Sequence, residues 1–174
     1  MSREDGSIAS TFSQLSQLGN THFRNLFRAP REASIAEIVQ IAGHFPSFVD
    51  EDSYEELNSP ITQGELEGTL KWFKKDKSPG PDGWPIEFFL AFYHLIGNDL
   101  LKVVEECRTI GRMYEAINTT FIALIPKSDS PASFNEFQPI SLCNCLYKII
   151  AKIIANWLHP ILSEHISSEQ FAFL

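Results

Sequence analysis

Apolar side chains recur at helical spacing along much of the chain. Over residues 9–27 they fall at Phe12, Leu15, Leu18, Phe23, Leu26 and Phe27, the stripe of an amphipathic helix weakened at Gly19. Residues 35–41 repeat the pattern briefly, between breaks at 30–34 and 43–47. Residues 1–60 therefore read as a string of short helices without a core of their own. Thr62 followed by Glu65 is a capping box, in which each side chain satisfies the other residue's orphan N–H. The helix it opens carries Leu66, Leu70 and Phe73 on one stripe and ends among Lys71, Lys74, Lys75 and Lys77, cations suited to a helix C-terminus. The run Lys77-Ser78-Pro79-Gly80-Pro81-Asp82-Gly83 fits neither helix nor strand, because its prolines fix φ and remove donors.

Beyond this loop, Pro85 suits the first turn of a helix bearing Phe88, Phe89, Phe92, Leu95 and Ile96 that stops at Gly97. Asn98 can cap a further helix with Leu100, Leu101, Val104 and Cys107, ending near Gly111. Residues 119–125 are β-branched or apolar and closed by Pro126, which predicts a strand. Residues 127–137 read as polar loop. From Ser141 the chain shows its cleanest helical period, Leu142, Leu146, Ile149, Ile150, Ile153, Ile154, Trp157, Leu158 and Ile161, with Lys148, Lys152 and Asn156 on the polar face. Pro160 should bend or end that helix. The fold class is mainly α with a small β element, α+β, with a linker-like region over 1–60 and a second region over 61–174.

Composition sharpens this. At 174 residues, 44% hydrophobic with 14 Phe, the chain is globular rather than disordered or a disulfide scaffold. Its net charge of −8 has the wrong sign for a protein that grips phosphates by bulk electrostatics. Yet residues 1–70 carry a net −7 and the remainder only −1. Seven carboxylates between Asp50 and Glu67, with no Lys or Arg among them, make a solvated acidic surface. Cys107, Cys143 and Cys145 form an odd set without a second metal-ligand pair, so reduced, buried thiols are expected. No apolar run approaches the 18 or so residues of a membrane span and no secretory signal opens the chain, so an intracellular setting, nuclear or cytoplasmic, is expected, with the Asn118-Thr119-Thr120 sequon unmodified.

Phosphate-loop, dinucleotide, zincin and nucleophile-elbow motifs are absent, and the five histidines are scattered without ligand spacing. What stands out is a pair of proline-stiffened loops, 77–83 and 127–138, each opening with a lysine at the end of a regular element. Such loops either stiffen connections or place a cation against a phosphate.

These motifs, taken in order, resemble a known family. Ile61-Thr62 with Glu65, the K-S-P-G-P-D-G loop, Glu87-Phe88-Phe89, Ile96-Gly97, Asn118-Thr119-Thr120, Leu124-Ile125-Pro126-Lys127, Phe137-Gln138-Pro139-Ile140-Ser141-Leu142-Cys143-Asn144 and residues 147–152 (YKIIAK) together look like the start of the reverse transcriptase domain of LINE-type, non-LTR retrotransposons, especially those of plants. The likeness covers about residues 60–172, and residues 22–27 resemble the segment that links endonuclease to polymerase. The resemblance implies the N-terminal extension and fingers of a right-hand polymerase. It places Lys77, Ser78, Gly80 and Asp82 in a loop near the template and Lys127 against the nucleotide triphosphate. Gln138 stands where the family carries an arginine, and a neutral amide cannot replace its bidentate phosphate contact.

The family's palm carries the aspartates that hold two Mg²⁺ ions for phosphoryl transfer, and neither palm motif occurs in this sequence. The expectation is a truncated reverse-transcriptase-like protein, an RNA-directed DNA polymerase by family but inactive alone. It binds no cofactor itself, holds an RNA or DNA template weakly or not at all, and has a palm-bearing polypeptide rather than a membrane as partner. Two alternatives stay open: a non-enzymatic helical module that binds RNA or protein, and a translated relic without a selected role.

Overall fold

The computed structural model describes residue 1 and residues 7–28, 34–43 and 49–165. In chain order these form α1 (Phe12–Arg28), α2 (Ile35–Ala42), α3 (Glu51–Leu57), α4 (Gln63–Trp72), α5 (Ile86–Ile110), β1 (Thr120–Pro126), a 3-10 turn (Phe134–Glu136), β2 (Phe137–Cys143) and α6 (Cys145–His165). The α+β expectation holds: the described chain is mostly helical, with one antiparallel pair of strands. It divides into two compact units, one of residues 1–46 with 122–140 and the other of residues 47–121 with 141–174.

In the first unit, α1 opens on a capping box that the sequence reading overlooked. Thr11 Oγ1 accepts from the Gln14 N–H at 3.3 Å, and Gln14 Oε1 accepts from the Thr11 N–H at 3.4 Å. A second box, Ser34 with Glu37, starts α2 and holds the Glu37 carboxyl below its ordinary range. Neither helix buries a residue, as the string of short helices predicts. Gly19, expected to weaken α1, instead admits Phe134 from the hairpin loop: a Cβ there would meet the ring at 3.0 Å. His22 stacks on the same ring, with centroids 5.8 Å apart, and Phe23 meets it edge-on. Gly19→Leu is therefore expected to expel Phe134. Losing two aromatic contacts worth about 1 kcal/mol together should let the amides of residues 127–136 exchange roughly fivefold faster, which hydrogen-exchange mass spectrometry would register while α1 stays protected.

In the second unit, α4 packs on α5 and α6 around Leu66, Leu70, Val104, Ile149 and Ile153, all close to fully buried. The period read from the sequence supplies these positions. Several boundaries differ from expectation. The predicted stop at Gly97 does not occur, and α5 runs unbroken for 25 residues with Pro85 at its N-cap. Gly97 is buried within it and lies so close to the Tyr93 ring that a Cβ would stand 3.1 Å away. The C-terminus falls as expected, Gly111 closing the helix at φ +63.

The Thr62–Glu65 capping box is only half formed. Thr62 accepts from the Glu65 N–H at 3.2 Å, but the Glu65 carboxylate accepts from the Trp157 indole N–H and so ties α4 to α6. The acidic stretch contains a helix that the sequence reading missed, α3, capped by Asp50 accepting from the Ser53 N–H at 2.8 Å. Its Glu51, Asp52, Glu55 and Glu56 are exposed, as a solvated acidic face requires. At the entry to α4, Glu105 accepts from the Ile61 N–H and pairs with Arg108, whose guanidinium also donates to the Asn58 carbonyl. That pairing holds the Glu105 carboxyl below its ordinary range.

Two further corrections concern the C-terminal half. Residues 137–143 form a strand, so Gln138 lies in β2 rather than in a loop, and the final helix begins at Cys145 rather than Ser141. Nor does Pro160 end that helix, which continues to His165. By length and mean hydropathy of 1.2, α6 also reaches the range of a spanning segment, contrary to expectation. One of its faces is buried in the second unit, and Lys148 and Lys152 interrupt its apolar run, so length and hydropathy are weak evidence for a span.

Candidate nucleic-acid interface

The K-S-P-G-P-D-G loop lies entirely in the second unit, and one buried amide holds it. Residues 80–83 make a β-turn with Pro81 and Asp82 at its centre, closed by the Gly83 N–H donating to the Gly80 carbonyl at 3.1 Å. Asn144, buried just before α6, accepts from the Asp82 N–H at 3.1 Å through Oδ1. Its Nδ2 donates to the carbonyls of Ala116 at 2.8 Å and Ile117 at 3.3 Å. Gly80 lies directly against it, where a Cβ would come within 2.4 Å of the Asn144 backbone nitrogen. Asp82, read as a turn former, accepts from the Trp84 N–H at 3.1 Å, a local Asx turn.

The approach to the loop is fixed as well. Asp76 adopts φ +58, a left-handed conformation that aspartate tolerates. Its N–H donates to the Glu87 carboxylate in the first turn of α5, which holds that carboxyl below its ordinary range. Lys75 and Lys77 flank this kink.

Beside the loop is a small cleft of about 140 Å³ whose walls include Lys74, Lys77, Ser78, Pro79, Trp84 and Lys148. Three cations thus converge from the end of α4, the loop and the first turn of α6. None of them has a carboxylate within 4 Å among the described residues, whereas Lys71 nearby is paired with Glu67 at 2.6 Å. Trp84 is half exposed and packs against Phe88 with ring centroids 4.2 Å apart and planes tilted by 38°. Lys152 lies 5.6 Å over the exposed Trp72 ring. Cys145 also lines the cleft, but burial pushes its thiol up to about 11, so it is a packing residue and not a nucleophile.

Lys127 and Gln138 belong to the hairpin of the first unit. Lys127 directly follows β1, where its N–H donates to the Glu136 carbonyl at 2.8 Å, and Gln138 lies in β2. The Lys127 amine donates to the Asn135 carbonyl at 3.1 Å. Glu136 braces the loop by accepting from Ala132 N–H and Ser133 Oγ–H, both at 3.3 Å.

Of the residues singled out in the sequence, Lys77 and Ser78 line the cleft, Gly80 and Asp82 seat its loop, and Lys127 and Gln138 both belong to the hairpin. Lys74 and Lys148 were legible as a helix-end cation and a polar-face lysine, though not as neighbours. Asn144 was not legible as a staple, since its partners stand about 30 and 60 residues away. Among the described residues no group of three or more His, Cys, Asp or Glu side chains could hold a metal ion.

The site is thus a lysine-bearing cleft on a small helical unit, without the carboxylate set of a two-metal centre. No family model matches the chain. It is 31% identical over 167 residues to the Transposon TX1 uncharacterized 149 kDa protein of Xenopus laevis, an alignment that spans 96% of this chain and 13% of that protein. The chain is therefore related to a transposon-encoded protein, of which it spans about an eighth of the length.

Proposed function

We propose that this chain is a fingers-side segment of a reverse-transcriptase-like protein of a non-LTR retrotransposon, and that the cleft beside residues 77–83 is its template-side surface. The observation that carries the reading is the convergence of the unpaired Lys74, Lys77 and Lys148 with the exposed ring of Trp84 on a loop made rigid by Asn144. Lysines neutralise phosphates as point charges, and an exposed indole offers a stacking surface to an unpaired base. The similarity to a transposon protein and the ordered motifs of the sequence agree with it. Lys127 is then the hairpin's phosphate contact, and the neutral Gln138 of β2 cannot fork onto phosphate oxygens as an arginine would.

The segment's own contribution is binding and not chemistry. Phosphoryl transfer through Mg²⁺ needs carboxylates that stabilise attacking and leaving oxygens through paired metals, and no such group occurs among the described residues. In a primer-extension assay with Mg²⁺ and an RNA template, the purified chain is expected to synthesise nothing above background; template-dependent synthesis would overturn the assignment. Fluorescence anisotropy with a labelled single-stranded RNA should show affinity that falls between about 50 and 200 mM salt. Replacing Lys74, Lys77 and Lys148 together by glutamine should reduce the slope of log K against log salt by about 2. An unchanged slope would remove the cleft from the interface and favour a protein-binding module.

A further inference from the structure

A second cavity in the helical unit has no part in the proposed template contact. It measures about 360 Å³ and is bounded by Ile61, Val104, Met113, Ile150, Ile153 and Trp157, between α6 and the C-terminal end of α5. Such a volume lies within the range of small-molecule sites, and the walls are apolar apart from two arginine side chains. These are Arg108, in the last turn of α5, and Arg112, just beyond it.

The two guanidinium groups are not equivalent. Arg108 is neutralised by Glu105 and also donates to the Asn58 carbonyl. Arg112 is exposed and has no carboxylate within 4 Å among the described residues. The C-terminal end of α5 adds about half a negative charge, which leaves Arg112 as the net cation of the rim. Ile154, nearly half exposed, borders the cavity as well.

We propose that this cavity binds a single amphiphilic carboxylate, with its aliphatic chain among the isoleucines and its headgroup at Arg112. Charge complementarity decides the class. A neutral apolar ligand leaves the one unpaired cation unused, and a cationic amphiphile meets it with repulsion. The thiol of Cys107, also in the lining, is buried and serves as apolar wall.

Titration calorimetry of the full chain with decanoate, decanol and decyltrimethylammonium, each below its aggregation limit, tests the assignment. The expected result is saturable 1:1 binding in which decanoate is held about fivefold more tightly than decanol, the strength of a partly solvated ion pair, with the ammonium weakest. Arg112→Gln should abolish the preference for decanoate and leave decanol binding unchanged. Ile154→Trp should weaken both ligands while the thermal midpoint stays within a few degrees. Absence of saturable binding, equal binding of all three, or a carboxylate preference that survives in Arg112→Gln would overturn the proposal. Dimerisation that Ile154→Trp abolishes, without amphiphile binding, would assign the cavity to a second copy of the chain and overturn it too. None of these outcomes depends on the RNA measurements at the lysine cleft.

Discussion

Gly80→Val is expected to unfold the loop that carries Lys77 and to cost about 3 kcal/mol or more, among the largest single-residue effects in the chain. The position does not demand a left-handed backbone. What it demands is space: the nearest atoms to an added Cβ are the backbone nitrogen, Oδ1 and Cα of Asn144, at 2.4 to 2.6 Å. Two of these are backbone, and the third belongs to a side chain already committed to three hydrogen bonds. No rotamer change relieves the clash, so either the loop or the start of α6 must move. Asn144→Ala tests the same staple from the other side. It adds no atom but strands the Asp82 N–H and the carbonyls of Ala116 and Ile117, at about 2–3 kcal/mol. Urea denaturation followed by circular dichroism would measure both. RNA anisotropy should show Gly80→Val reproducing much of the triple-lysine loss, because the cation stays present while its position is lost. Full stability in either variant would show that the staple does not hold the loop.

Leu66→Ala should lower stability by about 3–4 kcal/mol, within the range for a leucine emptied from a close-packed site. Leu66 is fully buried where α4 meets α5 and α6, and its neighbours Leu70, Val104 and Ile149 are equally enclosed. The packed faces of α5 and α6 leave little freedom to collapse into the void. The measured quantity is the denaturant midpoint at unchanged slope. A loss under 1 kcal/mol would show that α4 is not part of the cooperative core.

How much of this could be read from the chain follows from the range of each interaction. The α4 and α6 stripes were legible because burial of a helix face leaves a period in the sequence, and Leu66, Leu70, Ile149, Ile150 and Ile153 are all core. The strand at 120–126 was legible from its β-branched run. Its partner was not, because Phe137-Gln138-Pro139-Ile140 carries a proline and alternates poorly. In a sheet of two strands each has a free edge, and there a proline is tolerated. Gly97 misled for a different reason: local propensity marks it as a breaker, while the packing of α5 on the core sustains the helix through it. Glu65 was assigned to a local cap that it gives up for a partner 92 residues away. The loop at 77–83 was recognised as rigid from its prolines and glycines, but the amide that holds it could be found only in three dimensions.

The interleaving of the two units bears on the order in which the chain acquires structure during synthesis. Leu70 and Val104 emerge from the ribosome well before Ile149, because the hairpin lies between α5 and α6 in the sequence. At about 5–20 residues per second, a two-helix intermediate with an open apolar face persists for roughly 2–9 s between the synthesis of Val104 and that of Ile149. Contacts of such long sequence separation are slow to form. The nascent α4–α5 pair is thus the stage at which this protein is most exposed to chaperone capture and to aggregation, and that vulnerability closes only when α6 has been made.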